Sequence, residues 1–178
     1  MIDLKNNYKN AIPLLQAEFG WKNALAVPRL DKVMVSVGTA KSKDPKRQEL
    51  VMNRIAKITS QKPATTVAKK SIATFKLRAG DKSGVKVTLR GARMYDFLNR
   101  LINVAIPRER DFRGLNLAAI DEMGNLSIGF KEHTIFPETS DEDLKDVFPF
   151  GVTIVTTAKN RKEAQSLFTH LGFPFKKD

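Results

Sequence analysis

Between Gln61 and Arg93, nine lysines and arginines stand against one acid, Asp81. The chemistry such a run can do is neutralisation of a polyanion, not bond breaking. Cations held at fixed spacing on a stiff frame suit a phosphate backbone better than a small substrate. Taken alone, the run reads equally well as a solvated surface that keeps the chain soluble. Phe75, set between Thr74 and Lys76, reads either as a group that stacks on a base or ribose or as an anchor of its own loop.

Residues for catalysis are sparse. His133 and His170 stand far apart, and neither has the patterned serine or carboxylate partner that a triad needs. Gly80-Asp81-Lys82-Ser83-Gly84-Val85-Lys86 has the look of a phosphate loop, but it misses the G-x-x-x-x-G-K-[ST] spacing. A strand, not a helix, is expected to follow it. The acids from Glu138 to Asp146 do not follow a calcium-loop pattern, and His133 lacks a nearby second ligand for zinc. The chain has no cysteine, which removes thiolate nucleophiles, thiolate metal sites and disulfides. The expectation is a protein that is not an enzyme, with no cofactor, no metal and no small-molecule substrate.

Charge points to the partner. Thirty-one basic residues less nineteen acidic ones leave +12 on 178 residues, with a pI near 10. A surplus of that size costs self-repulsion in a small domain and fits a polyanionic partner. A membrane is disfavoured, because no apolar run approaches the roughly 20 residues of a span. The N-terminal MIDLKNNYKN has an acid and no apolar core, so it does not read as a secretory signal, and the expected location is cytosolic.

The elements that must position the basic run follow from periodicity. Leu4, Tyr8, Ile12 (or Ala11), Leu15 and Phe19 predict a helix over 3–19, with Asp3 as cap, Gly20 as stop and Pro13 expected to kink or divide it. Val33, Val35 and Val37 predict a half-buried strand over 30–37. Asp44-Pro45 opens a second helix with Val51, Ile55 and Ile58 inward, ending before Pro63. Strands are expected at 65–69 and 85–89, with the basic loop 70–84 protruding between them. A third helix runs over 91–106 and is closed by Pro107. Short strands at 126–130 and 152–157 and a last helix at 161–171 complete the chain. From Asp111 to Phe150 the charge reverses to nine acids against three bases.

This order predicts one α+β domain over residues 1–178: a single, mostly antiparallel sheet with helices packed on one face. The other face is expected to be open and polar, carrying Ser36, Thr65, Thr88 and Arg90, and to suit an RNA helix. No aromatic RNP-like strand and no zinc spacing occurs, so recognition is expected to rest on shape and backbone rather than base edges.

The run TTVAKKSIATFKLRAGDKSGVKVTLRG resembles the hallmark of the bacterial form of the fifth large-subunit ribosomal protein family. YKNAIPLLQAEFG, VPRLDKVMVSVG, IPRERDFRGLN, GNLSIGFKEHTIFPE, VTIVTTAKN and LGFPF extend the likeness, in order, over nearly the whole chain. Ser36 stands where the family strand usually has Asn, and Gly38-Thr39-Ala40 replaces its Gly-x-Gly.

The resemblance implies a structural RNA-binding protein of the central protuberance. It assigns 5S rRNA contacts to Ser36, Gly38, Gln61, Lys62, Thr65, Thr88 and Arg90. It assigns contacts with the peptidyl-site tRNA to Lys69, Lys70, Phe75, Lys76, Arg78 and Lys82. Arg108, Arg110, Arg113, Asp141, Glu142 and Asp143 are then the candidates for an intersubunit bridge to a small-subunit head protein. Large-subunit rRNA and neighbouring ribosomal proteins complete the implied partners. A free-standing RNA chaperone or regulator is the alternative that the basic surface also allows.

Overall fold

The computed structural model of the chain describes residues 2–40, 44–110, 112–140 and 146–176, with the side chain of Phe75 outside that description. Asp111, Asp141, Glu142 and Asp143 also lie outside the described residues, and with them the acidic half of the expected protein bridge.

The alternation of valines becomes strand β1, Leu30–Gly38, in which Val33, Val35 and Val37 are buried while Ser36 and Gly38 are exposed. The same two-residue period sets β3, Lys82–Leu89, with Val85, Val87 and Leu89 inward and Lys86 outward. It also sets β4, Leu126–Phe130, and β5, Phe150–Thr156. With β2, Ala64–Val67, they make a single five-stranded antiparallel sheet in the order β2-β3-β1-β5-β4. One side of each of these four strands is apolar and covered, and the other remains accessible, as expected for helices packed on one face only.

Two compact units divide the chain. One comprises Met1–Val33, Leu89–Ile128 and Thr153–Asp178; the other comprises Met34–Thr88 and Gly129–Val152. In the first, α1 (Leu4–Phe19) packs against α5 (Arg161–Leu171) and α3 (Gly91–Arg100). Leu4, Leu15, Phe97, Leu98, Leu167 and Phe168 are fully buried there. Asn99 and Asn103 fix the start of the chain: Asn103 Oδ1 accepts from the Ile2 amide at 2.8 Å, and Asn99 Oδ1 accepts from the Leu4 amide at 3.1 Å. In the second unit α2 (Pro45–Thr59) supplies Val51, Ile55 and Ile58 to the core. Phe130 stacks on Phe150 at 5.0 Å, and the fully buried His133 ring lies on Phe148 at 4.1 Å. His133 is thus a core residue.

Three local expectations need correction. Pro13 does not divide α1, which runs unbroken from Leu4 to Phe19. Both ends are pinned, by Asp3 accepting from the Lys5 amide and by Gly20 in the left-handed region donating to Gln16 O. Packing against α5 and α3 outweighs one lost bond.

The helix from Gly91 does not stop at Pro107. It widens into a π turn, Leu101–Ala105, then closes with one α turn, α4 (Ile106–Arg108). A proline ring clashes with the carbonyl four residues back, here Asn103, and the wider turn relieves that clash.

The third correction concerns the basic hairpin. β3 begins at Lys82 rather than Val85, so Gly84 is a strand residue. A Cβ at Gly84 would stand 2.5 Å from Val37 O, so only glycine lets the two backbones come this close.

Candidate nucleic-acid interface

The candidate interface is built on β1, β2 and β3. β2 pairs antiparallel with β3 through Ala64↔Lys86, Thr65↔Val85 and Thr66↔Gly84, and the register shifts by one residue before Val67↔Lys82. Ser83 is the extra residue of this bulge. It is held by its hydroxyl donating to Thr66 O at 3.2 Å and by contact with Thr66 Oγ1 at 3.3 Å. Such a bulge adds local twist and re-aims the chain beyond it. Here it aims the basic loop.

On the side of these strands opposite the valines, Ser36, Gly38, Lys86 and Arg90 are exposed and Thr88 is half-buried. Thr65 and Lys62 are exposed beside them. The face carries hydroxyls, bare backbone and cations. Gln61 also works inside the fold. Its Nε2 donates to Thr88 O at 3.1 Å, while Thr59 Oγ1 donates to Gln61 O at 3.2 Å. Gln61 therefore ties the end of α2 to the strand that carries Thr88, which leaves the Thr88 hydroxyl on a braced backbone. Arg90 follows one residue after β3 and precedes α3 without capping it through its side chain.

The expected tRNA residues group at the far end of the same hairpin. The loop is bonded to itself. Ala68 donates to Asp81 O at 2.8 Å and Gly80 to Ala68 O at 2.9 Å, closing the base. Ile72 and Leu77 exchange backbone bonds at 2.9 and 3.2 Å around a 3-10 turn, Ala73–Phe75. Asp81 Oδ2 accepts from the Arg78 amide at 3.1 Å, and Ser71 Oγ accepts from the Ala79 amide at 3.0 Å. Lys70, Lys76 and Lys82 are exposed around this frame, with Lys69 and Arg78 placed among them along the loop. Lys76 sits at φ +51°, in the left-handed region, where a side chain costs roughly 1–2 kcal/mol. Lys82 belongs to the strand and not to the loop. The single acid of the run thus joins the loop's hydrogen-bonded frame through its carboxylate, a role that charge counting does not reveal.

In the other unit Arg108 is exposed, and Arg110 and Arg113 lie close by along the chain. They precede Gly114, which has φ +103° and whose added Cβ would meet the Lys176 amide at 2.6 Å. Leu115 donates to Pro174 O at 2.8 Å and Lys176 to Leu115 O at 2.9 Å, a short parallel bridge. The chain's last described residues therefore hold the segment that carries these arginines. A glycine followed by leucine is too weak a signal for such a lock to be legible in the sequence.

Two family models divide the chain between them. The model for ribosomal protein L5 matches residues 23–78, and the model for the C-terminus of the same ribosomal protein family matches residues 82–175. The large ribosomal subunit protein uL5 of Desulfatibacillum aliphaticivorans is 48% identical over 99% of this chain and 100% of its own. Those of Halothermothrix orenii and Ureaplasma urealyticum are 48% and 46% identical, over 97% and 99% of this chain and 97% of each relative.

The chain belongs to the uL5 family. Members of this family are structural ribosomal proteins and not enzymes, so no reactive centre is required of the fold. Among the described residues, no group of three or more His, Cys, Asp or Glu is placed to hold a metal ion, and no helix is long and apolar enough to cross a membrane. The boundary between the two uL5 models, residues 78–82, falls in the turn that Asp81 closes.

Proposed function

We propose that this uL5 protein holds 5S rRNA on the large subunit of the bacterial ribosome, in the cytoplasm, through the open side of β1–β3. Ser36, Gly38, Lys62, Thr65, Thr88 and Arg90 form the contact, and Gln61 braces it. The observation that carries the reading is the division of β1 and β3: valine and leucine on one side, hydroxyls, glycine and cations on the other. A regular, backbone-reading surface of this kind fits the wide minor groove and the 2′-hydroxyls of folded RNA. The self-bonded loop 68–81 offers Lys76 and Arg78 to the peptidyl-site tRNA. Arg108, Arg110 and Arg113, together with the acids Asp141, Glu142 and Asp143, serve a head protein of the small subunit. Neighbouring large-subunit rRNA and proteins take up the remaining charge.

The test is quantitative binding of 5S rRNA to the purified chain and its variants. Arg90→Ala and Thr88→Val should weaken binding, while Lys76→Ala should leave it within about twofold and instead weaken retention of tRNA by large subunits. If Lys76→Ala abolished 5S rRNA binding and Arg90→Ala did not change it, the division between sheet face and loop would be wrong. Co-sedimentation with large subunits at moderate salt separates this function from that of a free-standing RNA chaperone, which would stay at the top of the gradient.

A further inference from the structure

The chain has two tyrosines, Tyr8 and Tyr95, and the fold brings them together. α1 and α3 lie side by side. Their directions are opposed, because the Ile2 amide reaches Asn103 while the Leu4 amide, further along, reaches back to Asn99. One helical turn on from Leu4 stands Tyr8, and one turn back from Asn99 stands Tyr95. Residues four apart share a helix face, so the two rings meet at one level of the helix pair. Arg29 is the third member, since its charge acts on both phenols. Its backbone is fixed: the Arg29 amide donates to Thr157 Oγ1 at 3.0 Å, and Arg29 O accepts from the Thr157 amide at 2.9 Å. Tyr8 and Tyr95 are half-buried and Arg29 is exposed, so a partner can reach all three. All three belong to the first compact unit.

Burial is the largest influence on both phenols and pushes their pKa up; Tyr95 adds to the rise at Tyr8, and Arg29 offsets part of it at each. Both hydroxyls therefore stay protonated at neutral pH and act as donors. Neither a hydrogen bond nor a carboxylate among the described residues figures among those influences. Two neutral O–H donors beside a guanidinium, whose planar fork grips two oxygens at once, suit an oxyanion. Arginine and tyrosine are ordinary donors to nucleic-acid phosphates. The aromatic rings also offer flat apolar faces to a ribose or base. On a chain of net charge +12, a polyanion is favoured over an isolated carboxylate of a protein. We propose that Tyr8, Arg29 and Tyr95 form a notch for one backbone phosphate of ribosomal RNA, with Arg29 gripping the phosphate oxygens and both phenols donating to them. The notch rests on the function proposed above only for its class of partner, RNA. It uses none of the residues assigned there to 5S rRNA, tRNA or the small subunit.

The test joins chemical protection to binding. Tetranitromethane nitrates accessible phenols, and with two tyrosines in the chain peptide mass spectrometry reads both members of the notch directly. The full chain is treated alone, bound to 5S rRNA, bound to protein-free long rRNA of the large subunit, and within intact large subunits. Both tyrosines should react in the unbound chain and be protected by one of the two naked RNAs, which identifies the strand that supplies the phosphate. Tyr8→Phe and Tyr95→Phe made together remove two hydroxyls and keep both rings. That double variant should bind the protecting RNA about tenfold more weakly, with an unchanged salt slope and melting temperature. Arg29→Gln should weaken binding about tenfold as well, and should flatten the slope of log K against log salt by about one contact. If the double variant binds both RNAs like the native chain while Arg90→Ala weakens 5S rRNA binding, the notch is overturned and the sheet-face function stands. If Arg90→Ala is silent too, both fall. Protection seen only in intact subunits marks a protein contact, and equal nitration in every state marks an uncovered surface; either result overturns the proposal.

Discussion

At the scale of single residues, the interface separates side chains that would contact RNA from side chains that hold the contact in place. Thr88 offers a hydroxyl on a backbone braced by Gln61, so Thr88→Val should cost about 1 kcal/mol of 5S rRNA affinity with an unchanged denaturation midpoint. Parallel binding and urea titrations read both quantities, and an unchanged affinity would return Thr88 to the ordinary strand residues. Gly84 is the converse case. Its replacement by Ala drives a Cβ onto a backbone carbonyl, not a movable side chain, and should destabilise the fold by about 1–3 kcal/mol. Lys76 carries both a charge and a strained φ. Lys76→Gly removes both, so it should stiffen the loop against hydrogen exchange while weakening tRNA retention. Lys76→Ala should weaken retention without that gain in protection.

At the scale of elements, two turns are organised by a carboxylate. Asp81 holds the basic loop through the Arg78 amide, so Asp81→Ala should raise amide exchange at Arg78 and Ala79 while β2 and β3 stay protected. Equal protection in the variant would assign the loop's order to its backbone bonds alone. Asp121 organises the turn before β4, accepting from the Asn125 amide at 2.6 Å and from Asn125 Nδ2 at 2.9 Å. Desolvation is the largest single influence and pushes its pKa up. The hydrogen bonds from Asn125 and from the Met123 backbone together outweigh it, and the carboxyl is held below its ordinary 3.8. A depressed carboxyl stabilises the fold at pH above its unfolded value, and that stabilisation is lost as pH falls through the folded one. The native chain should therefore lose its stability advantage over Asp121→Asn on acidification below about pH 4, and chemical denaturation from about pH 6 to about pH 2.5 compares the two.

At the scale of the whole molecule, +12 on 178 residues acts as a field rather than as a set of pairs. Binding to 5S rRNA should weaken linearly in log K against log salt, with a slope of roughly −0.7 to −0.9 per phosphate neutralised. Arg90→Ala should flatten that slope by about one contact, whereas Thr88→Val should lower affinity without changing it. A salt-independent affinity would remove the electrostatic basis of the interface.

The amino-acid sequence by itself determined the elements and the class of partner. Period-two valines make strands wherever they occur, Asp3, Asp44 and Gly172 cap helices through local bonds, and net charge needs no coordinates. The basic hairpin was legible for the same reason, because its cations are contiguous. Only the tertiary structure decided what depends on residues brought together from a distance. Gln61 braces Thr88 from twenty-seven residues away, and the Lys176 amide closes on Gly114. His133 becomes core against Phe148, and the Thr39 hydroxyl is buried without a hydrogen-bond partner among the described residues. Charge and periodicity are properties of neighbours along the chain. Hydrogen-bond satisfaction and close backbone approach are properties of neighbours in space, and folding alone chooses those.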